Sequence, residues 1–505
     1  MKNKKNFIKW SIIFIIIFGI GLIKKEFQND TFYTIKIGEL IFNNGIDMLD
    51  HFSIHEGLAY TYPHWLYDCF IYLMYSLGGF IGIHISTILL FALLIYIVYK
   101  TNKKITNNIT VTTISTLICV LAISSFVTAR AQLFSFILFA LQIYLIESYL
   151  KDNKKKHLYG LLFISLLLCN THVAVWPFYF ILYLPYLAEY IIALICSKIK
   201  LKKESKFITF LKKKFIIDNN KNIKFLFITM LLSTLTGLIT PLRLTPYTYL
   251  INTMMGNSQS YILEHQMIGW LEAPFTIIIA GETIILALIS KVKLRDLFMI
   301  TGLTIMAIFS ARHLSLLALI GIIAYARTFS LFFENFEFDV DNIIINFFCK
   351  KTVYITAFIL VIAFTGTMTF FESKKEYVNE KLYPTEAIKY IKNNIDTEEM
   401  RLFNEYNFGS YLLLNNIKVF IDARADLYTK EFSGLNYDIF DEFYYINLYY
   451  TKTFNKHGIT HVLLYKDTNL NEKLKINFNY EVIYEDEYFK LYERKNTQEL
   501  EFTIN

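Results

Sequence analysis

Cysteine is sparse in this chain: Cys69, Cys119, Cys169, Cys196 and Cys349 are the only five among 505 residues. Each sits in or beside an apolar run, and none falls within 372–505. That distribution excludes a disulfide framework and a cysteine-based metal site. Charge is also sparse, at 18% of residues against 54% hydrophobic. No Walker loop, Gly-rich dinucleotide turn, catalytic Ser elbow or tandem CxxC is present, which removes the common nucleotide-binding, hydrolase and redox classes. No internal repeat is evident, which argues against the repeat-built transporter folds. No small-x-small cleavage pattern follows the apolar run 11–23, only Lys24 and Lys25, so the N-terminal run reads as a first membrane span rather than a cleaved signal peptide.

What the chain has is a series of long apolar runs separated by short lysine-rich links, and mean hydropathy is +0.39. A helix that crosses a bilayer needs about 20 mostly apolar residues, because backbone groups in lipid must bond internally. The candidate spans are 6–23, 81–99, 109–127, 132–150, 158–170, 174–196, 223–241, 275–290, 297–311, 314–333 and 352–371, about eleven in all. The expected fold is therefore a polytopic α-helical membrane protein over 1–371, with a soluble α/β domain over 372–505. Lysine clusters at 100–104, 151–156, 198–224 and 291–295 orient the spans with the N-terminus cytoplasmic in the plasma membrane. The same arithmetic makes the C-terminal domain extracytoplasmic and puts 24–79 and 242–274 on the outer side. The net charge of +7 is explained by these links, without nucleic acid as a partner.

The segment 24–79 is more than a connector. It holds Asp47, Asp50, His51, His55, Glu56, His64 and Asp68 among many tyrosines. Residues 63–77 carry apolar side chains at helical spacing and read as an amphipathic helix in the membrane interface, with Trp65 and Tyr67 at headgroup level. Carboxylates at a membrane surface suit general-base work, because desolvation raises their basicity. They also simply solvate loops. The histidine spacing fits no closed zinc site. Asp47-x-x-Asp50 could hold a divalent cation through oxygens, and metal use stays open.

Polar groups interrupt the apolar pattern on the same side. Arg130 and Gln132 separate the third and fourth spans, Asn170 and His172 the fifth and sixth, and Arg312 and His313 the ninth and tenth. Arg243 follows the seventh. Charges at such depth face a cavity or a partner, or snorkel to headgroups, and the arginine fork suits phosphate. The 242–274 loop, with Glu264 and His265, could cover a cavity as a gate.

In the C-terminal stretch, Pro384 in the first turn opens a helix reaching about Asn394. Strands are expected at 419–422 and 460–465, with a hairpin at 480–484 and 488–493. Asp422, Arg424 and Asp426, past the end of the 419–422 run, either line a site or form a structural ion pair.

Together these residues resemble bacterial members of the GT-C superfamily of membrane glycosyltransferases. The resemblance runs through Asp50-His51-Phe52-Ser53, His64-Trp65-Leu66, Arg130–Phe134, Asn170-Thr171-His172-Val173, Tyr406–Tyr411 and Val419–Tyr428. It implies transfer of a sugar from a polyprenyl-phosphate-type carrier to a glycan, lipid or protein acceptor at the outer face, with inversion. By that resemblance Asp50 is the first candidate for the base and Asp47 the second. Glu56, His64, Asp68, Arg130, Gln132, Asn170, His172, Arg243, Glu264, His265, Arg312 and His313 become substrate-binding candidates, and Asp422, Arg424 and Asp426 candidates in the external domain. The chain departs from the family's compact acidic signature, since its two aspartates lie three apart. A transporter or flippase for an anionic lipid-linked glycan, or a non-catalytic envelope scaffold, is the alternative.

Overall fold

A computed structural model describes residues 2–199, 214–256, 266–267, 274–348 and 350–495. Glu264 and His265, and with them part of the expected gate, lie outside the described residues. The chain divides into two compact units: residues 1–24, 84–246 and 262–374 form a helical unit, and 25–83, 247–261 and 375–505 a second.

In the helical unit every apolar run named above is helical. Among the described residues, six helices are long and apolar enough to cross a membrane: Trp65–Ile105, Ile109–Phe126, Ala131–Asp152, Val173–Ser197, Ala311–Asn335 and Lys351–Ser373. The last of these buries no residue against the protein. A long, predominantly apolar helix that stays this uncovered by protein is stable where lipid replaces water. The chain is thus a multi-pass membrane protein. Lys2–Ile20 lies along Lys351–Ser373, joined by the Thr365 hydroxyl donating to the Ile17 carbonyl at 2.9 Å and by stacked Phe18 and Phe364 rings. Polar groups close the helix ends. Asn108 caps Ile109–Ile123 through the Val111 N–H, and Asp341 accepts from the Ile109 and Thr110 N–H groups while pairing with Lys4.

The run 63–77 is helical as expected, and it is continuous with the next span. Trp65–Ile105 is one helix broken by non-helical Gly78 and Gly79. Gly79 has φ 58, a conformation in which glycine avoids the Cβ penalty.

The second unit is built on a four-stranded sheet. Its strands are β1 (Leu402–Asn404), β2 (His461–Tyr465), β3 (Tyr480–Glu485) and β4 (Phe489–Arg494), in the order β1-β2-β4-β3. The β1–β2 pair is parallel, with Phe403 opposite Val462, and the other two pairs are antiparallel, with Leu463 opposite Leu491. The expected hairpin is β3–β4, and the Pro384-initiated helix spans Thr385–Asn394. One expectation needs correction. The apolar run 419–422 is not a strand of the sheet, and only Val419 makes a bridge, parallel to Ser53. The Asn404 side chain takes over the pairing a strand would need: its amide donates to the Ile421 carbonyl at 2.8 Å, and its oxygen accepts from the Phe420 N–H at 2.8 Å. The helix Asn29–Asn44 lies so close to Trp65–Ile105 that a Cβ on Gly38 would come within 2.2 Å of the Asp68 carbonyl oxygen.

Candidate active site

The acidic loop is pinned to the C-terminal part of its own unit by backbone pairing. The Val419 N–H donates to the Phe52 carbonyl at 3.1 Å, the Ile54 N–H to Val419 at 2.9 Å, and the Ala59 N–H to Ser433 at 3.0 Å. Within the loop, Leu49 bridges Ala59 antiparallel, and Asp50 N–H donates to Leu58. The loop is therefore a fixed structure, and its side chains have defined positions.

Asp50 lies at the centre of that junction. Its carboxylate accepts from Arg424 Nη1 at 2.5 Å and from the Ser53 N–H at 2.9 Å. Arg424 turns its other edge to Asp422, with Nη2 to Oδ2 at 2.7 Å and Nε to Oδ1 at 3.0 Å, and the Tyr428 hydroxyl donates to the same Asp422 oxygen at 2.8 Å. The guanidinium lies over the rings of Phe52 and Tyr60. The side chains of Asp50 and Asp422 are fully buried and that of Arg424 is 2% exposed. Burial pushes the Asp50 carboxyl up, but Arg424 and the Ser53 contacts outweigh it and hold it below its ordinary value. Burial pushes Tyr60 well above its usual range.

Asp47 has a different setting. Its side chain is 47% exposed and meets His51 Nε2 at 2.6 Å. The Leu49 N–H donates to its other oxygen at 3.0 Å, and the Tyr62 hydroxyl does so at 3.2 Å. Slight burial works upward on its pKa, and the Leu49, His51 and Tyr62 contacts carry it below its ordinary value. The two aspartates thus take separate partners, an imidazole and a guanidinium. Among the described residues no group of three or more His, Cys, Asp or Glu side chains is placed to hold a metal ion.

Other expected residues scatter around this centre. Glu56 is exposed. His64 and the fully buried Asp68 stand 3.8 Å apart, and neither Asp68 oxygen has a hydrogen-bond partner among the described residues. Asp426 accepts from the Tyr249 hydroxyl, and Asn252 donates to the Glu431 carbonyl at 3.2 Å. The described part of the expected gate is therefore a helix, Thr245–Met255, whose Tyr249 and Asn252 pack on 426–432. His55, for which the sequence indicated no role beyond the rejected zinc site, is buried against the Phe420 and His457 rings with Nε2 2.9 Å from the Phe420 carbonyl. Burial, then His457, lowers its pKa to about 4.

In the helical unit the polar breaks are cross-linked to one another. Gln132 donates to the Ser315 hydroxyl at 3.2 Å, and Ser315 in turn donates to the Arg312 carbonyl. His172 Nδ1 meets the Ser135 hydroxyl at 2.9 Å, and the His313 ring packs edge-on against Phe178. The Asn170 amide donates to the Leu166 and Ile239 carbonyls. Arg130 is half-buried, just before the helix Ala131–Asp152. Arg243 is exposed, with φ 58.

No protein-family model matches this chain, and no curated protein matches it. Among solved structures it is similar to ArnT from Cupriavidus metallidurans in the apo state, with 12% identity and a TM-score of 0.51. The match covers 96% of this chain and 97% of that one. At that identity the likeness speaks for architecture alone: the chain shares the fold of that structure over almost its whole length.

Proposed function

We propose that this protein is a membrane glycosyltransferase that takes a sugar from a polyprenyl-phosphate-type carrier and transfers it, with inversion, to an acceptor at the outer face of the plasma membrane. The observation that carries the reading is the solvent-open carboxylate of Asp47, held by His51 and Tyr62 beside the buried Asp50–Arg424–Asp422 clamp, in a chain of this fold.

The acceptor oxygen attacks the anomeric carbon, and the bond from that carbon to the phosphate oxygen breaks. The carrier leaves as polyprenyl phosphate, and the hydroxyl proton passes to Asp47. Transfer through an oxocarbenium-like transition state asks little of the base until the new bond is nearly made, so a carboxylate below its ordinary pKa is sufficient. Asp50 is the positioning residue: its carboxylate is closed to an acceptor, and its ion pair fixes the loop that presents Asp47. Arg130, Arg243 and Arg312 are the candidates for recognising the donor phosphate, where negative charge grows as the bond breaks. Gln132, His172 and His313 support those helix ends.

The test is a purified-protein assay against a panel of polyprenyl-phosphate sugars, scored by release of the free lipid phosphate. Asp47→Asn is expected to lower kcat by at least about 100-fold, the scale of a lost general base, with the melting temperature unchanged. Full turnover in that variant removes Asp47 from the chemistry. Sugar-lipid counterflow in proteoliposomes without bond cleavage would identify a transporter instead.

A further inference from the structure

We propose that the lysine-rich end of the helical unit holds a binding site for a phosphate group, supplied either by an anionic phospholipid headgroup or by a soluble phosphate. The site does not rest on the transferase reading. A cavity of about 290 Å³ opens there. Lys104, Lys151, Lys293, Arg295 and Arg327 line it, against three acids, Glu147, Asp218 and Glu334. Lys151 is exposed, Lys104 and Lys293 are half-buried, and both arginines are buried, so positive charge runs from the rim to the floor.

The floor is an ion network set among apolar helices. Arg327 Nη2 donates to Glu147 at 2.5 Å, while its Nε stands 3.5 Å from Asp296. Arg295 reaches Asp218 at 3.4 Å and Glu189 at 3.7 Å, over the Tyr186 ring. Glu189 and Asp296 balance the floor's charge from outside the cavity lining. The pairing is loose. Nε and Nη1 of both arginines are buried with no hydrogen-bond acceptor among the described residues. Buried donors without acceptors are costly. A phosphate supplies several acceptor oxygens in the geometry the guanidinium fork prefers, and rim lysines suit its remaining charge. The volume, just under the ~300 Å³ where pockets for drug-sized ligands begin, suits a headgroup-sized anion. Charges held inside membrane helices mark functional sites by default, and no step of the proposed transfer uses these. Lys104 and Lys151 belong to the links assigned to the cytoplasmic side, so on that orientation a lipid ligand would come from the inner leaflet.

The test uses the full chain in a non-ionic detergent free of phosphate. The probes are inorganic phosphate, and phosphatidylglycerol in mixed micelles. The expected result is saturable binding, read as a rise in melting temperature and, for the lipid, as a retained adduct by native mass spectrometry. Binding should weaken about tenfold in Lys104→Gln/Lys293→Gln, the scale of two lost ion pairs that solvent partly screens. It should hold in Lys155→Gln/Lys156→Gln, which removes the same charge from exposed residues that do not line the cavity. Lys151→Gln alone, on the exposed rim, gives the same direction if the first double variant does not fold. Binding of phosphate alone identifies a soluble source, and binding of lipid alone a headgroup; either supports the site. Saturable binding of neither probe, or equal weakening in both double variants, overturns it.

Discussion

Arg424 is clamped between two carboxylates, one 2 residues away and one 374 residues away along the chain. Removing one partner of a buried pair leaves an uncompensated charge, so Arg424→Gln, which strands Asp50 and Asp422, is expected to destabilise the protein by about 3–5 kcal/mol. Thermal unfolding of the full chain in detergent measures this, and a loss under about 1 kcal/mol would refute the clamp. Its pH dependence has a defined sign. Asp50 has a folded pKa below its unfolded value, so its contribution is present above about pH 3.9 and is lost as pH falls through the folded pKa. His55 works at higher pH. Because burial lowers it from 6.5 to about 4, the unfolded chain takes up a proton between those values while the folded chain does not. Stability should therefore fall as pH drops from 6.5 to 4, by about 3 kcal/mol from this residue, and be unaffected by it above 6.5. His55→Gln, which keeps a donor for the Phe420 carbonyl, should flatten that slope; an unchanged slope would assign the effect elsewhere. The acidic loop and the 422–426 charges were legible as chemistry in the sequence, but their pairing was not, because no local spacing links positions 50 and 424.

At the scale of elements, the tightest constraint is where the helix Tyr406–Leu414 meets the segment 419–422. A Cβ on Gly409 would fall 2.1 Å from the Ile421 carbonyl oxygen and 2.9 Å from the Asp422 Cα. Both obstacles are backbone, so neither can rotate away. Gly409→Ala should cost at least about 1–3 kcal/mol as overpacking and displace Asp422 from Arg424. The neighbouring Ser410→Ala loses only the bond from the Ala423 N–H and should cost about 1 kcal/mol. Equal melting temperatures for the two variants would contradict this packing. The same junction explains the one misplaced strand. Val419-Phe420-Ile421 has strand composition because it is buried, and burial alone does not reveal that Asn404 and the 52–54 backbone take its hydrogen bonds. The hairpin and the Pro384-initiated helix were legible because their signals are local: alternating apolar residues around a charged turn, and a proline in a first turn. The network of Glu147, Arg295 and Arg327, with Glu189 behind it, was not legible in the sequence, because only tertiary packing brings these charges together at one cavity.

For the molecule as a whole, lysine distribution and packing make one joint statement about sidedness. In the second unit, Ser53 bridges Val419 and Asp50 pairs with Arg424, so the acidic loop and the C-terminal part must occupy one compartment. The lysine-rich links, including 151–156, are expected on the cytoplasmic side by the positive-inside rule. Glu56, Lys155 and Lys392 are all exposed and so report without disturbing a core. In a background with the native cysteines replaced, Glu56→Cys and Lys392→Cys should react with a membrane-impermeant maleimide on intact cells. Lys155→Cys should react only after the membrane is opened. Different behaviour at residues 56 and 392 would contradict the packing of the second unit. Labelling of all three on intact cells would leave that packing standing and reverse the lysine argument, and with it the placement of sugar transfer at the outer face. The two inferences therefore separate in a single experiment, because one depends on contacts inside a unit and the other on charge bias across the bilayer.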